Sequence, residues 1–176
     1  METIDSKGYS VKSTDNLFFD ANVWLYIHGP LAEFSIDKQS KFSSFFEKVA
    51  RVDAMIWINL MVISEIANVI IRDRFKKYKK DTNNHSLKFK EYWKSNHKKS
   101  AIQDAKDIIY NILDSEFVQQ LPDNFNSIDV KSDLGDYYGI LDFNDASIAH
   151  ICIEKRYKIV TDDSDFIGIP NLIVIN

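Results

Sequence analysis

Cysteine, glycine and proline are all scarce in this sequence. The only cysteine is Cys152, so no disulfide can form within the chain, and cytoplasmic residence is the expectation. Five glycines and three prolines among 176 residues exclude a collagen-like protein and a Gly/Pro low-complexity chain. An apolar fraction of 45% is enough for one domain to bury its own core.

Long apolar runs are missing as well. No apolar stretch is longer than five residues, the length of the run at residues 54–58, whereas a membrane-spanning helix needs about 20 consecutive apolar residues. The first sixteen residues carry charges throughout and have no apolar centre, which argues against a signal peptide. The sequence therefore predicts a protein that has no membrane partner.

The charge is unevenly distributed along the chain. The formal net charge is −4, yet residues 72–99 hold eleven basic and three acidic residues, a local charge of +8. Aromatic residues alternate with these basic residues, an arrangement that suits binding of a phosphate backbone and stacking of bases. A long helical hairpin with lysines outside and aromatic rings inside has the same composition, so both interpretations stay open.

Apolar periodicity divides the chain into alternating strands and helices. Residues 1–15 look like a polar, loosely ordered lead-in, and residues 16–176 form one domain that includes the basic segment as a helical insertion. Predicted strands cover residues 16–20, 54–58, 117–121, 158–161 and 172–175. Predicted helices cover residues 22–28, 36–51, 64 onward into the basic segment, 101–117 and 144–157. This alternation predicts a doubly wound, mostly parallel sheet.

Acidic residues follow the predicted strands. Ligands of such sheets bind beyond the carboxyl ends of the strands, so polar residues at those positions are candidates for chemistry. Asp20 ends the first strand, Glu65 lies in the helix after residues 54–58, and Asp145 opens the helix after residues 141–144. Asp142 is a weaker alternative to Asp145. Asp162, Asp163 and Asp165 follow the strand at residues 158–161.

Such carboxylates would repel one another if they converged, so a positive partner is required. Carboxylate oxygens suit Mg²⁺ or Mn²⁺, and metal-assisted phosphodiester hydrolysis is the chemistry that follows. Asn22, Ser64 and Thr161 are polar neighbours in supporting positions. Each acid alone has a simpler explanation as a helix cap, a first-turn residue or a turn former, and only their joint placement argues for a site.

Four short strings resemble the PIN-domain family of nucleases in order and spacing. They are FFDANVW, ISEIANVI, DFNDASIAH and KIVTDDSDF, and the resemblance covers residues 16–176. It implies a three-layer α/β/α sandwich around a mostly parallel sheet. It also implies that four acids are catalytic and bind metal, namely Asp20, Glu65, Asp145 and Asp163, with Asp165 as a further ligand or outer neighbour.

The resemblance also implies an activity and partners. Members of the family cleave RNA with Mg²⁺ or Mn²⁺, and many small members of the VapC type are toxins that a cognate antitoxin inhibits, often as homodimers. The lead-in and the basic segment exceed a minimal toxin. Six basic residues are assigned to RNA binding: Arg72, Arg74, Lys76, Lys77, Lys79 and Lys80. The alternative is a nucleic-acid-binding or regulatory module that keeps the fold without catalysis.

Overall fold

A six-stranded parallel sheet forms the centre of the protein. The computed structural model describes residues 2–122, 131 and 141–176. The sheet order is β1-β6-β5-β2-β3-β4, and every neighbouring pair is parallel. The strands are β1 (Glu2–Ile4), β2 (Asn16–Phe19), β3 (Met55–Ile58), β4 (Val118–Gln120), β5 (Lys158–Val160) and β6 (Ile173–Ile175).

Six α-helices in the described part of the chain connect and cover the strands. They are α1 (Ala21–His28), α2 (Ile36–Arg51), α3 (Leu60–Asp81), α4 (Phe89–Lys94), α5 (Lys98–Leu113) and α6 (Phe143–Lys155). Short 3₁₀ turns lie at Pro30–Glu33 and Ser164–Phe166. The architecture is the expected α/β/α sandwich around a parallel sheet. No helix within the described ranges combines the length and apolar character that a membrane crossing requires.

The burial of the central strand β2 shows that both faces of the sheet are covered. Leu17, Phe18 and Phe19 are fully buried although neighbouring side chains of a strand point to opposite faces. A strand buried on both faces reads as a continuous apolar run, which is typical of parallel sheets covered by helices. Asp20 directly follows this run, so it lies at the carboxyl end of β2.

Residues 2–15 are more ordered than the sequence indicates. Strand β1 pairs with β6, with Glu2 opposite Ile173 and Ile4 opposite Ile175. The side chain of Val11 is buried in the core. The expectation of a loosely ordered lead-in is therefore wrong, because this segment completes the sheet and packs against it.

The basic segment forms a helical extension with its own aromatic cluster. It includes the second half of α3, all of α4 and the start of α5, and α3 packs against α5. Phe75 contacts Phe89 and Tyr92 at ring-centre distances of 5.4 and 5.2 Å. Tyr92 is buried. These rings contact one another, as the helical-hairpin interpretation expects.

Most helix boundaries agree with the periodicity, and α3 differs for a local reason. It begins at Leu60, four residues before the predicted start, because Asn59 caps it: Val62 N–H donates to Asn59 Oδ1 at 3.0 Å. Helix α5 spans Lys98–Leu113 instead of residues 101–117. The polar connection expected at residues 122–135 lies almost wholly outside the described residues.

Candidate active site

The predicted acids meet at the carboxyl edge of the sheet. β2 and β5 are neighbours, so Asp20 and Asp163, which follow them, lie at the same edge. Glu65 lies in the second turn of α3, after β3, and Asp145 lies in the first turn of α6. Four separate elements thus direct carboxylates toward the same edge of the sheet.

Asp20 is held in a fixed orientation. Its side chain is only 4% exposed. Ala21 N–H donates to Oδ1 at 2.6 Å, which makes Asp20 the N-cap of α1. Asn22 Nδ2 and Thr161 Oγ1 both donate to Oδ2, at 2.6 and 2.7 Å. The capping explanation and the site explanation are therefore compatible, since one residue satisfies both.

Asn22 and Thr161 tie the ends of β2 and β5 together. Asn22 Nδ2 also donates to Thr161 Oγ1 at 3.0 Å, and its Oδ1 accepts from Asp162 N–H at 3.1 Å. Asp163 N–H donates to Thr161 Oγ1 at 3.0 Å. These two predicted supporting residues thus fix the Asp20 carboxylate relative to the backbone of Asp162 and Asp163.

Burial and like charge raise the pKa values of the acids. Burial raises the pKa of Asp20, although the hydrogen bonds from Thr161 and Ala21 oppose it. Burial first, and then the charges of Asp20, Asp142 and Asp163, raises the pKa of Glu65. These carboxylates are thus close enough to affect one another's ionisation, which is what convergence requires.

Asp145 has the largest shift of the group. Burial, followed by the charges of Asp142, Asp20, Asp163 and Glu65, raises its pKa to about 7. A carboxyl group with this pKa is partly protonated at neutral pH, and perturbed values of this kind cluster at functional sites. The pKa of Asp145 therefore reflects its burial and the repulsion among the acids of the cluster.

Asp142, ranked below Asp145 from the sequence, has a different place. It is the N-cap of α6, and its Oδ1 accepts from Asp145 N–H at 3.0 Å. Its side chain is exposed, whereas that of Asp145 is half-buried. Asp142 thus orients the start of α6, and the interior position belongs to Asp145.

Two predicted residues lie at the outside of the cluster. Asp165 is exposed, and its N–H donates to Asp163 Oδ1 at 2.8 Å. Ser64 is exposed on α3 beside Glu65. Asp165 thus shapes the turn that presents Asp163.

Sequence reasoning missed the surroundings of Asp162. Its carboxylate forms an ion pair with Lys38 of α2, and Tyr26 Oη donates to the same oxygen, Oδ2, at 3.2 Å. Asp162 was visible in the acidic run, but nothing local in the sequence indicates that Lys38, far away in the chain, would reach it. The loop after β5 is thus held by α1 and α2 from one side.

The six basic residues assigned to RNA binding fall into two groups on α3. Arg74 Nε pairs with Asp104 Oδ2 at 2.5 Å, and Lys77 Nζ pairs with Glu33 Oε2 at 2.9 Å. The Arg72 guanidinium lies 3.9 Å from the centre of the Phe89 ring. The other three, Lys76, Lys79 and Lys80, are exposed or half-exposed. Lys79 Nζ also lies 5.5 Å from the centre of the Phe75 ring, so four of the six residues have a contact within the protein.

The donor set fits a hard divalent cation in its chemistry. Carboxylate oxygens are the ligands that Mg²⁺ and Mn²⁺ prefer, and mutual repulsion among the acids would be relieved by a cation. Within residues 2–122, 131 and 141–176, no group of three or more histidine, cysteine, aspartate or glutamate side chains is arranged so that it could hold a metal ion as it stands. Of the acids, Asp20 is the one whose oxygens are most fully committed to hydrogen bonds.

Comparison with known proteins shows a family and a similar solved structure. The family model described as the PIN domain matches residues 17–172. The crystal structure of VapBC2 from Rickettsia felis bound to a DNA fragment from their promoter is similar, with 19% identity and a TM-score of 0.48. That alignment covers 92% of this chain and 98% of the other. No curated protein matches the sequence. Since the family model spans nearly the whole chain, the protein belongs to the PIN-domain family of nucleases.

Proposed function

We propose that this protein is a metal-dependent endoribonuclease that hydrolyses RNA phosphodiester bonds, and that it acts as the toxin of a toxin–antitoxin pair. The observation that carries the proposal is the meeting of Asp20, Glu65, Asp145 and Asp163 at one sheet edge, with the pKa of Asp145 raised to about 7. Membership of the PIN-domain family supports nuclease chemistry for these acids.

Mg²⁺ or Mn²⁺ is the proposed cofactor. When bound, such an ion lowers the pKa of a water molecule and stabilises charge on the phosphate. Asp20, Glu65, Asp145 and Asp163 would hold it, and Asp165 would contribute from the rim. Asn22 and Thr161 hold Oδ2 of Asp20, whereas Oδ1 accepts only from Ala21 N–H among the described residues and keeps acceptor capacity.

RNA binding is proposed for the exposed lysines of α3. Lys76, Lys79 and Lys80 lie on the extension and could follow a phosphate backbone away from the acidic edge. Arg74 and Lys77 would contribute less, because each forms ion pairs with two acids within the protein. Arg72 would also contribute less, because its guanidinium lies 3.9 Å from the centre of the Phe89 ring. The alternative of a non-catalytic module is disfavoured, since a module that only binds would gain affinity by losing these acids.

A cognate antitoxin is the proposed protein partner. A groove of about 330 Å³ lies between the turn at Pro30–Glu33 and α3. Its lining includes three apolar side chains, two cations and one acid, namely Leu31, Phe34, Val69, Arg72, Lys76 and Asp73. Phe34 is 74% exposed. A segment that combines apolar and acidic side chains fits this lining. A homodimer is also proposed, and sedimentation of the purified protein measures it.

The decisive experiment is cleavage of a panel of RNAs by the purified protein with Mn²⁺, Mg²⁺ or a chelator. Asp20→Asn is the inactive variant. Asp53→Asn is its matched control, because Asp53 is exposed and has a φ of 55°, a conformation that asparagine adopts readily.

The proposal predicts cutting that needs the metal, persists in the control and is lost in Asp20→Asn. Cutting that Asp20→Asn retains would show a contaminating nuclease or a different active site. Metal binding without cleavage of any RNA would favour the non-catalytic module.

A further inference from the structure

Lys38 is a cation placed against the acidic edge of the sheet. Its ammonium pairs with Asp162, the residue directly before Asp163. Asp162 is in turn connected to the site, because its N–H donates to Asn22 Oδ1 and Asn22 donates to Asp20. A short series of contacts thus fixes the ammonium relative to the carboxylates.

The position of Lys38 has an electrostatic cost that its packing does not explain. It is the third residue of α2, and cations are unfavourable in the first turn of a helix because of the helix dipole. Its side chain is 44% exposed, whereas that of Asp162 is 16% exposed. Lys38 is thus the more exposed member of the pair, and Asp162 the more buried one.

The ammonium keeps hydrogen-bonding capacity in this arrangement. A lysine has three N–H donors, and the contact with Asp162 uses one of them. Tyr26 contacts both members of the pair. Its hydroxyl donates to Asp162 Oδ2, and its ring centre lies 5.5 Å from Lys38 Nζ. The ion pair therefore orients the Lys38 ammonium and leaves N–H donors available for a ligand.

We propose that Lys38 binds a phosphate of the substrate strand next to the acidic cluster, with Asp162 and Tyr26 as positioning residues. The inference rests on the proposed nuclease function, and it names a contact that is separate from the lysines of α3. A polyanion that enters a carboxylate cluster needs a nearby positive charge. Lys38 would supply it, because its ion-pair partner Asp162 directly precedes Asp163.

The test measures the affinity of a short, fluorescently labelled, mixed-sequence single-stranded RNA at several salt concentrations. All proteins carry Asp145→Asn and contain Mg²⁺, and gels verify that the RNA stays intact. Lys38→Met is compared with Lys41→Met, one turn further along α2, whose ammonium donates to Asn176 Oδ1 at 2.8 Å. Asp162→Asn is the third variant, because it removes the ion pair but keeps the ammonium.

We expect Lys38→Met to bind RNA about tenfold more weakly than the parent at low salt. The salt slope, which is the slope of the logarithm of the binding constant against the logarithm of the salt concentration, should become smaller in magnitude by about 0.7, the value for one phosphate contact with a single strand. Lys41→Met should bind like the parent. Asp162→Asn should keep the parent's salt slope, since the ammonium remains.

Equal losses in Lys38→Met and Asp162→Asn would show that the ion pair only stabilises the loop, and this would overturn the proposal. The Lys38 contact is also refuted if Lys38→Met keeps the parent's affinity, or if no variant binds RNA. Cleavage by the protein without Asp145→Asn is scored separately, so failure of the nuclease proposal and failure of the Lys38 contact give different results.

Discussion

Thr161 shows how a single hydroxyl can organise a site. It donates to Asp20 Oδ2 and accepts from Asn22 Nδ2 and Asp163 N–H, so its one donor and both acceptor positions are used. The residue is fully buried. Any replacement without a hydroxyl therefore leaves buried polar groups on three neighbours without this partner.

Thr161→Val should lower the free energy of unfolding by about 1–3 kcal/mol, the usual cost of unpaired buried polar groups. It should also reduce RNA cleavage, because Asp20 loses one of the two donors that hold Oδ2. Urea denaturation and a cleavage assay measure the two effects. Thr161→Ser keeps the hydroxyl and should restore most of both. Equal behaviour of the valine and serine variants would contradict the hydrogen-bond argument.

The raised pKa of Asp145 predicts an unusual pH dependence of the free energy of unfolding. Its pKa in the folded protein is about 7, above its ordinary value of 3.8. The folded state therefore binds more protons than the unfolded state between these values, and the contribution of Asp145 to stability falls as pH rises from about 4 to 7. Above pH 7, the charged carboxylate is a net cost to the folded protein.

Asp145→Asn should remove this part of the pH dependence and leave the protein at least as stable at pH 8, while abolishing cleavage. Urea denaturation with a chelator at a series of pH values measures it, with Asp53→Asn as the control. A variant that is less stable than the parent at pH 8 would mean that Asp145 is held mainly by favourable contacts.

At the scale of elements, the segment before β2 is attached to the sheet by a partly buried ion pair. Lys158 at the start of β5 pairs with Asp15 Oδ1 at 2.5 Å, and Tyr9 Oη donates to Asp15 Oδ2 at 2.8 Å. The Asp15 side chain is almost fully buried. The hydrogen bond from Lys158, with those from Lys12 N–H and Tyr9, outweighs burial and lowers the pKa of Asp15.

Lys158→Met should destabilise the protein by about 3 kcal/mol, because it leaves the buried Asp15 carboxylate without its cation. For a chain of this size the melting temperature should fall by about 9 °C. Thermal denaturation at neutral pH measures it. Lys155→Met is the matched control, since Lys155 is exposed and pairs only with its neighbour Glu154 among the described residues. A similar shift in both variants would contradict the role of the buried pair.

The same elements show where sequence reasoning succeeds. β2, β3, β5 and β6 are short apolar runs, and their burial follows from composition alone, so the sheet and the order of the acids along it are predictable. The resemblance supplied the metal roles, which remain proposals. The ordered lead-in was missed because β1 has only three residues and its attachment depends on pairing with β6 and Lys158.

Contacts between distant parts of the chain account for the other differences. Lys38 and Asp162 are 124 residues apart, and no local pattern links them. In the same way, the sequence shows that the basic segment is rich in lysine and arginine. It does not show which of these residues pair with Asp104 or Glu33. Charge counts therefore overestimate the number of cations that are available to a ligand.

At the scale of the whole molecule, charges of opposite sign occupy different regions. The acids collect at the carboxyl edge of the sheet, and the excess lysines lie on the helical extension of α3, α4 and α5. An RNA strand would be attracted to the extension and repelled by the acids until their charge is compensated. Binding and cleavage should therefore respond to different sets of substitutions.

Substitutions on the helical extension separate binding from cleavage. Replacing Lys76, Lys79 and Lys80 together with methionine should weaken RNA binding and lower the salt slope by about 2, at about 0.7 for each phosphate contact with a single strand. A control with Lys7, Lys12 and Lys155 replaced has the same net charge, and these exposed lysines lie outside the extension. Fluorescence anisotropy across a salt series measures both. An equal reduction in the two triple variants would mean that net charge alone drives binding, whereas a loss confined to the first would assign the RNA path to α3.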